Sequence, residues 1–317
     1  MIMNKLAENI KKFKKFEIIT HQRADGDAAA SEAAFALLLK YFSKKVKIVD
    51  LADYPDTYKF LIKNWKNDKF DNPDCTVYLD CGERSRIDEK YMTVLGADYV
   101  INIDHHTDNS GFGDYNLVLS DYSSTAEIIF HFFKKLKIDK NDMGKSFFES
   151  IYAGISTDTG NLSFSNANSR TFRTVSEIME ILGNPGKIYK QIYCNKQKNK
   201  VKLTGEVLKR IKTYFDNRLV ISYVSNEDLE KYNIKHKDLE GLVDYLGEIR
   251  NTEVYVLIKQ LERRVARLSL RSTGNISVLE FAKKNSGGGH DFAAGATLNE
   301  NLNKAIKIIK NYWRNKL

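Results

Sequence analysis

YVINIDHHTDN, Tyr99 to Asn109, decides how this 317-residue chain is read. Tyr99 to Ile103 is a short apolar-rich run of the kind that forms a buried strand, and it leads directly into Asp104-His105-His106 and a polar turn. Side chains at the carboxyl end of a parallel strand project into the crevice where open α/β sheets bind ligands. An acid followed by two imidazoles at that place has two readings: metal chemistry, or a strand-end Asp capping the next turn beside two partly exposed histidines.

Three earlier runs end in the same way. Phe16–Thr20 ends at His21, Val46–Val49 at Asp50 and Thr76–Leu79 at Asp80. Helical patterns separate most of them, above all the alanine- and leucine-rich run that follows Asp27 and extends to Phe42, and Pro55 is placed to open another helix. Strands alternating with helices make a parallel sheet in an α/β fold. His21, Asp80 and Asp104 then lie along one edge, where clustered carboxylates raise one another's pKa unless cations lie between them. Asp50 has the same placement without an accompanying motif and is read as ordinary strand-end polarity.

Farther along, Leu6, Ile10 and Phe13 predict an amphipathic N-terminal helix, with the KKFKK lysines as its solvated end. Helices are expected at Ser123–Lys137, at Ser146–Ile155 and from Ser169 to Leu182, before Asn184-Pro185-Gly186. Asp158, in STDTG, is either a ligand at a helix end or part of a polar turn. The basic stretch from Gln191 to Lys202 reads as a boundary, giving a first domain over 1–190, a connector helix over 191–212 and a smaller α/β domain over 213–317. That last domain is expected to hold strands at Leu219–Val224, Val254–Gln260 and Arg264–Ser272, a helix-rich segment at Asn226–Leu246, and helices at Ile276–Lys284 and over Leu302 to Trp313. Between those helices, Gly287-Gly288-Gly289 precede His290; glycines let backbone N–H groups approach an anion, and Arg271 stands at a strand end.

A net charge of +9 favours anionic partners, although it is spread along the chain. Three cysteines without metal-finger spacing imply ordinary thiols, and no apolar stretch is long enough for a signal-peptide core or a membrane span, so a soluble cytoplasmic protein is expected.

These motifs, in this order, resemble the DHH phosphoesterase superfamily and its two-domain DHH/DHHA1 members, most of all the nano-RNase/pAp phosphatase subfamily. The match rests on His21-x-x-x-Asp25-Gly26-Asp27, Asp80, Asp104-His105-His106, Asp158, the SLRS motif ending at Ser272, and GGGH followed by Ala293-Ala294-Gly295. Arg23-Ala24 replaces the family's usual Asn-Pro, and Ser286 stands where a fourth glycine is frequent.

The resemblance implies a catalytic DHH domain and a DHHA1 substrate domain, with the active site in the cleft between them. It also implies two metal ions, one held by His21, Asp25 and Asp80 and the other by Asp27, Asp80, His105 and Asp158. Mixed imidazole and carboxylate ligands suit Mn²⁺, with Mg²⁺ or Co²⁺ as alternatives. His106 is expected at the substrate phosphate, supported by Asp104, with Arg271, Ser272, Gly287, Gly288, Gly289 and His290 gripping the nucleotide and Arg23 as a further cation near the site. The implied activity is hydrolysis of very short RNA and of 3′-phosphoadenosine 5′-phosphate (pAp). Alternatives are a phosphodiesterase acting on c-di-AMP or pApA, a RecJ-like exonuclease, or a nucleotide sensor without turnover; a homodimer is also compatible.

Overall fold

The computed structural model describes residues 2–22, 24–51, 54, 56–92, 95–239 and 241–317. It divides into two compact units, Met1–Asn195 and Lys196–Leu317. The first contains α1 (Ile2–Lys12), β1 (Lys15–Thr20), α2 (Gly26–Tyr41), β2 (Lys45–Ile48), β3 (Cys75–Leu79), α3 (Glu89–Met92), β4 (Val100–Asp104), β5 (Tyr115–Val118), α4 (Thr125–Lys135), α5 (Lys145–Asp158), α6 (Ser169–Leu182) and α7 (Gly186–Tyr193).

Its strands form one parallel sheet in the order β2-β1-β3-β4-β5. Because all five run the same way, the residues that follow them emerge at one edge. Ile18, Val77, Leu79, Ile101 and Ile103 join the main core with apolar residues of α2, α4 and α5. On the other face, Ile19 and Tyr78 pack with Cys81 and Ile87, with Tyr91 of α3 against them. The helix α2 is buried almost throughout, which its alanines permit by letting neighbours approach closely. Gly154 of α5 shows how tight this packing is. A Cβ there would sit 2.5 Å from Ala126 Cβ and 2.6 Å from Asp27 Oδ1.

The second unit contains α8 (Lys198–Lys209), β6 (Lys212–Tyr214), β7 (Leu219–Val224), α9 (Asn226–Tyr232), β8 (Val254–Glu262), β9 (Val265–Ser272), α10 (Leu279–Lys284), β10 (Gly288–Gly289), β11 (Ala293–Leu298) and α11 (Leu302–Trp313). Its six strands run β10-β11-β9-β8-β7-β6, antiparallel except for the β7–β8 pair. Trp313, Ile309 and Ala305 of α11 pack with β8, β9 and β11.

Several local expectations change. Pro55 lies outside the described residues, and the nearby helical segment is a 3₁₀ turn at Lys59–Ile62. Among its described residues, Asn226–Leu246 yields one seven-residue α-helix followed by 3₁₀ turns. In the basic stretch from Gln191, α7 runs on to Tyr193, and Leu203 and Val207 of α8 are core residues of the second unit. Edge strand β5 was not foreseen, its four residues being too few to show a period. Nor was β11, whose Ala-Ala-Gly-Ala composition carries no β-branched signal before Thr297.

Asp228 of α9 offers a test of the second unit's stability. Arg210 donates through both terminal nitrogens to its carboxylate, the Nη2–Oδ1 distance being 2.8 Å, and Ser225 donates its backbone N–H and hydroxyl at 2.8 and 2.9 Å. Burial opposes ionisation, but these donors prevail and lower the pKa from 3.8 to about 2. A depressed carboxylate stabilises the fold above its unfolded pKa, and that contribution is lost as pH falls from 3.8 towards 2. Asp228→Asn is expected to cost about 1–3 kcal/mol at pH 7. The gap from wild type should narrow in denaturant unfolding at pH 3; a constant gap would discount the ion pair.

Candidate metal centre

Eight predicted residues meet at the carboxyl edge of the first sheet. His21 follows β1, Asp25 caps α2 by accepting from Ala28 N–H at 3.0 Å, and Asp27 lies in the first turn of that helix. Asp80 follows β3 with φ of +53°, in the left-handed region that residues other than glycine seldom occupy. Asp104 ends β4, His105 and His106 follow it, and Asp158 ends α5.

Asp80 is the common member. One of its oxygens is 3.8 Å from His21 Nε2, and the other is 3.6 Å from both His105 Nε2 and His106 Nδ1. His105 Nε2 also lies 3.4 Å from Asp158 Oδ2. Donor atoms of His21, Asp25 and Asp80 all fall within 4.8 Å of one another, as do those of Asp27, Asp80 and His105. The two sets share Asp80, and donors so grouped could bind metal ions.

Electrostatics supports that use. Burial pushes Asp27 well above the usual carboxylate range, and Asp80 and Asp158 push it further. Asp25 is half-buried; desolvation raises its pKa, yet neighbouring His21 and the Ala28 amide hold it below the ordinary value. Three acids crowded in a low-dielectric site are a cost to the metal-free fold that a cation removes. The oxygen and imidazole donors and the accumulated negative charge fit divalent metal ions.

Asp104 does a different job from Asp80. Its Oδ1 accepts from the His105 and His106 amides at 2.8 and 3.2 Å and from His106 Nδ1 at 2.7 Å, while Oδ2 accepts from Asn109 Nδ2 at 2.6 Å. Burial works against the charged imidazole, but the Asp104 carboxylate overrides it and raises His106 to about 10. Protonated His106 can therefore donate towards an anionic substrate through Nε2. Asp104, His106 and Asp80 also form a third set of adjacent donors, which a binding measurement must separate from this role.

Sequence reading missed the support around this centre. Asp27 accepts from the Thr125 and Ala126 amides, at 2.7 and 3.0 Å, at the start of α4. Thr125 Oγ1 donates to Asp80 at 3.0 Å, and Asn109 also bonds Asn102 Oδ1 at 2.7 Å. The available signal was the Ser-Ser-Thr cap before α4; its target was not visible. Asp50 is a correction. Instead of ordinary strand-end polarity it is buried beside Glu32, whose carboxyl is pushed up by burial and by Asp50 and accepts a hydrogen bond from Tyr54. Arg23 lies outside the described residues.

In the second unit the expected substrate residues share one end of the sheet. Arg271 on β9 pairs with Ala293, and Gly288 and Gly289 pair with Gly295 and Ala294 of β11. Arg271 Nε lies 3.8 Å from Asp244 Oδ1. Ser272 turns to the opposite face, and its hydroxyl accepts from the Gly274 and Ile276 amides at 3.2 and 3.4 Å. The glycines have a packing reason of their own: a Cβ on Gly287 would stand 2.0 Å from Gly295 O, and Gly289 has φ of +132°. Gly287 N–H donates to Ala282 O, and His290 N–H donates to Ala293 O at 2.8 Å across the hairpin turn.

Two family models match the chain: the DHH family N-terminal domain over residues 15–155 and the DHHA1 domain over 216–315. The bifunctional oligoribonuclease and PAP phosphatase NrnA of Thermus thermophilus is 30% identical over 285 residues, spanning 89% of this chain and 83% of that protein. Its Bacillus subtilis counterpart is 26% identical over 280 residues, spanning 88% and 87%. An exopolyphosphatase-related protein from Bacteroides fragilis has the same fold, with a TM-score of 0.86 at 24% identity over 98% of this chain and 94% of its own. Together with the acid-and-imidazole centre, these matches establish that the chain belongs to the two-domain DHH/DHHA1 family of phosphoesterases.

Proposed function

We propose that this protein hydrolyses very short RNA oligonucleotides to mononucleotides and removes the 3′-phosphate of pAp. The observation that carries a hydrolytic reading is the buried centre in which Asp80 belongs to two adjacent donor sets. The NrnA names of relatives aligned over most of the chain support the choice of substrates. No helix among the described residues is long and apolar enough to cross a membrane, and we read the enzyme as cytoplasmic.

In this reading, His21, Asp25 and Asp80 hold one ion while Asp27, Asp80, His105 and Asp158 hold the other, with Mn²⁺ suited to the mixed donors. When bound, a pair of such ions lowers the pKa of water and neutralises charge on phosphoryl oxygens. Asp104 orients His106 through Nδ1, and His106 donates to a phosphoryl or leaving oxygen. Arg271 supplies a planar donor pair for a second phosphate, and the glycine hairpin with His290 contacts the nucleotide.

A Mn²⁺ panel tests the substrates: pAp, di- to pentanucleotide RNA, pApA, pyrophosphate and long single-stranded DNA. Rapid turnover of pAp and the short RNAs, with little of pyrophosphate or long DNA, is expected. Preferential turnover of pApA, or binding without turnover, would overturn the assignment. Arg271→Ala should raise KM for a dinucleotide roughly tenfold to a hundredfold while changing kcat little; an unchanged KM would remove Arg271 from phosphate recognition.

A further inference from the structure

We propose that Arg170, at the start of α6, is a positioning residue for the metal ligand His105. The inference rests on the reading of His105 as a ligand. Its geometry begins at the far side of the His105 ring. Nδ1 lies 3.3 Å from the Tyr122 carbonyl, while Nε2 faces Asp80 and Asp158. A carbonyl only accepts, so this contact keeps the proton on Nδ1 and directs the Nε2 lone pair to the acids. Outer partners of this kind fix the tautomer and orientation of a metal-binding histidine.

The Tyr122 carbonyl lies on the irregular segment between β5 and α4, with no strand or helix ladder to set its position. Arg170 grips that segment. Its guanidinium carbon lies 3.7 Å from the centre of the Tyr122 ring. Nη1 donates to Asp121 Oδ2 at 2.8 Å, and Nη2 donates to the Asp121 carbonyl. Nε lies 3.6 Å from Glu127, which is buried and accepts from the Ser123 amide and hydroxyl at 2.9 and 2.8 Å. One planar side chain thus holds two consecutive residues of the segment and the carboxylate that anchors a third. Lysine can replace the charge but not the stacked fork.

Asn166 acts from the same stretch of chain. Its Nδ2 donates to the Ser123 carbonyl at 3.1 Å and the Asp158 carbonyl at 3.0 Å. The segment that carries the Tyr122 carbonyl and the helix end that carries Asp158 are therefore tied together. Residues 166 to 170 thus strap the segment whose Tyr122 carbonyl backs His105 to the helix end that carries Asp158.

The test is direct titration of the metal-free protein with Mn²⁺, read by calorimetry and by the signal of free Mn²⁺ in electron paramagnetic resonance. Arg170→Ala should weaken one of two binding events by about 10–100-fold, with a smaller loss for Arg170→Lys. KM for pAp at saturating Mn²⁺ should stay at the wild-type value. Thermal unfolding without metal monitors the fold, and if Arg170→Ala does not fold, the comparison is read on Arg170→Lys. Unchanged Mn²⁺ affinity in a folded Arg170 variant overturns the proposal. His105→Ala separates the two levels. Loss of a binding event in His105→Ala but no weakening in the Arg170 variants refutes the positioning role, whereas two intact events in His105→Ala refute the underlying ligand assignment.

Discussion

Asp80→Asn is expected to abolish turnover of every substrate, by on the order of 10³-fold or more at any Mn²⁺ concentration. The amide keeps the shape of the side chain but removes the charge that both donor sets share. It also has an effect of opposite sign on the metal-free protein. Asp80 contributes to raising the Asp27 carboxyl, so neutralising it relieves repulsion within a buried cluster. The metal-free variant should therefore unfold no earlier than wild type. Wild type gains about 2.7 kcal/mol per site at a hundredfold excess of Mn²⁺ over Kd, and the variant should lose most of that gain. Paired thermal unfolding with and without Mn²⁺ measures both. Appreciable Mn²⁺-dependent turnover by Asp80→Asn would defeat the shared-carboxylate assignment.

His106→Ala should lower kcat by roughly 10²–10⁴-fold while leaving both Mn²⁺ binding events in place. The reason is its bond to Asp104, which occupies Nδ1 and leaves the ring as a donor. Asp104→Asn should reproduce part of the loss, because the imidazole then loses the carboxylate that holds it protonated. Titration with Mn²⁺ beside steady-state kinetics on pAp separates the possibilities. Loss of a binding event in His106→Ala would make it a ligand with Asp80 and Asp104.

Much of the first unit was legible in the chain. Apolar runs ending in His21, Asp80 and Asp104, separated by helical patterns, specify parallel strands whose polar ends emerge together. That inference needs only local periodicity and the direction of the chain. Asp50 resisted it because burial depends on what lies opposite: Glu32 of α2 is brought beside it from earlier in the sequence, and Tyr54, four residues on, donates to Glu32. In the second unit, β11 was hidden by alanines, since its strand conformation comes from pairing with β9 and not from its own propensity. Ser272 and Arg271 are neighbours in sequence but turn to opposite faces, as a strand requires.

By itself, then, the sequence determined the α/β class, the ordered set of acids and imidazoles, and the edge at which they gather, because each follows from residue type, spacing and strand direction. Tertiary structure decided which partners each member meets there. Asp80 became the shared carboxylate and Asp104 the partner of His106 through distances set by neighbouring strands. The N-terminus of α4 reached Asp27 across nearly a hundred residues, and α6 reached the segment behind His105. Such contacts depend on how helices pack against the sheet, where a shift of an ångström exchanges one hydrogen-bond partner for another.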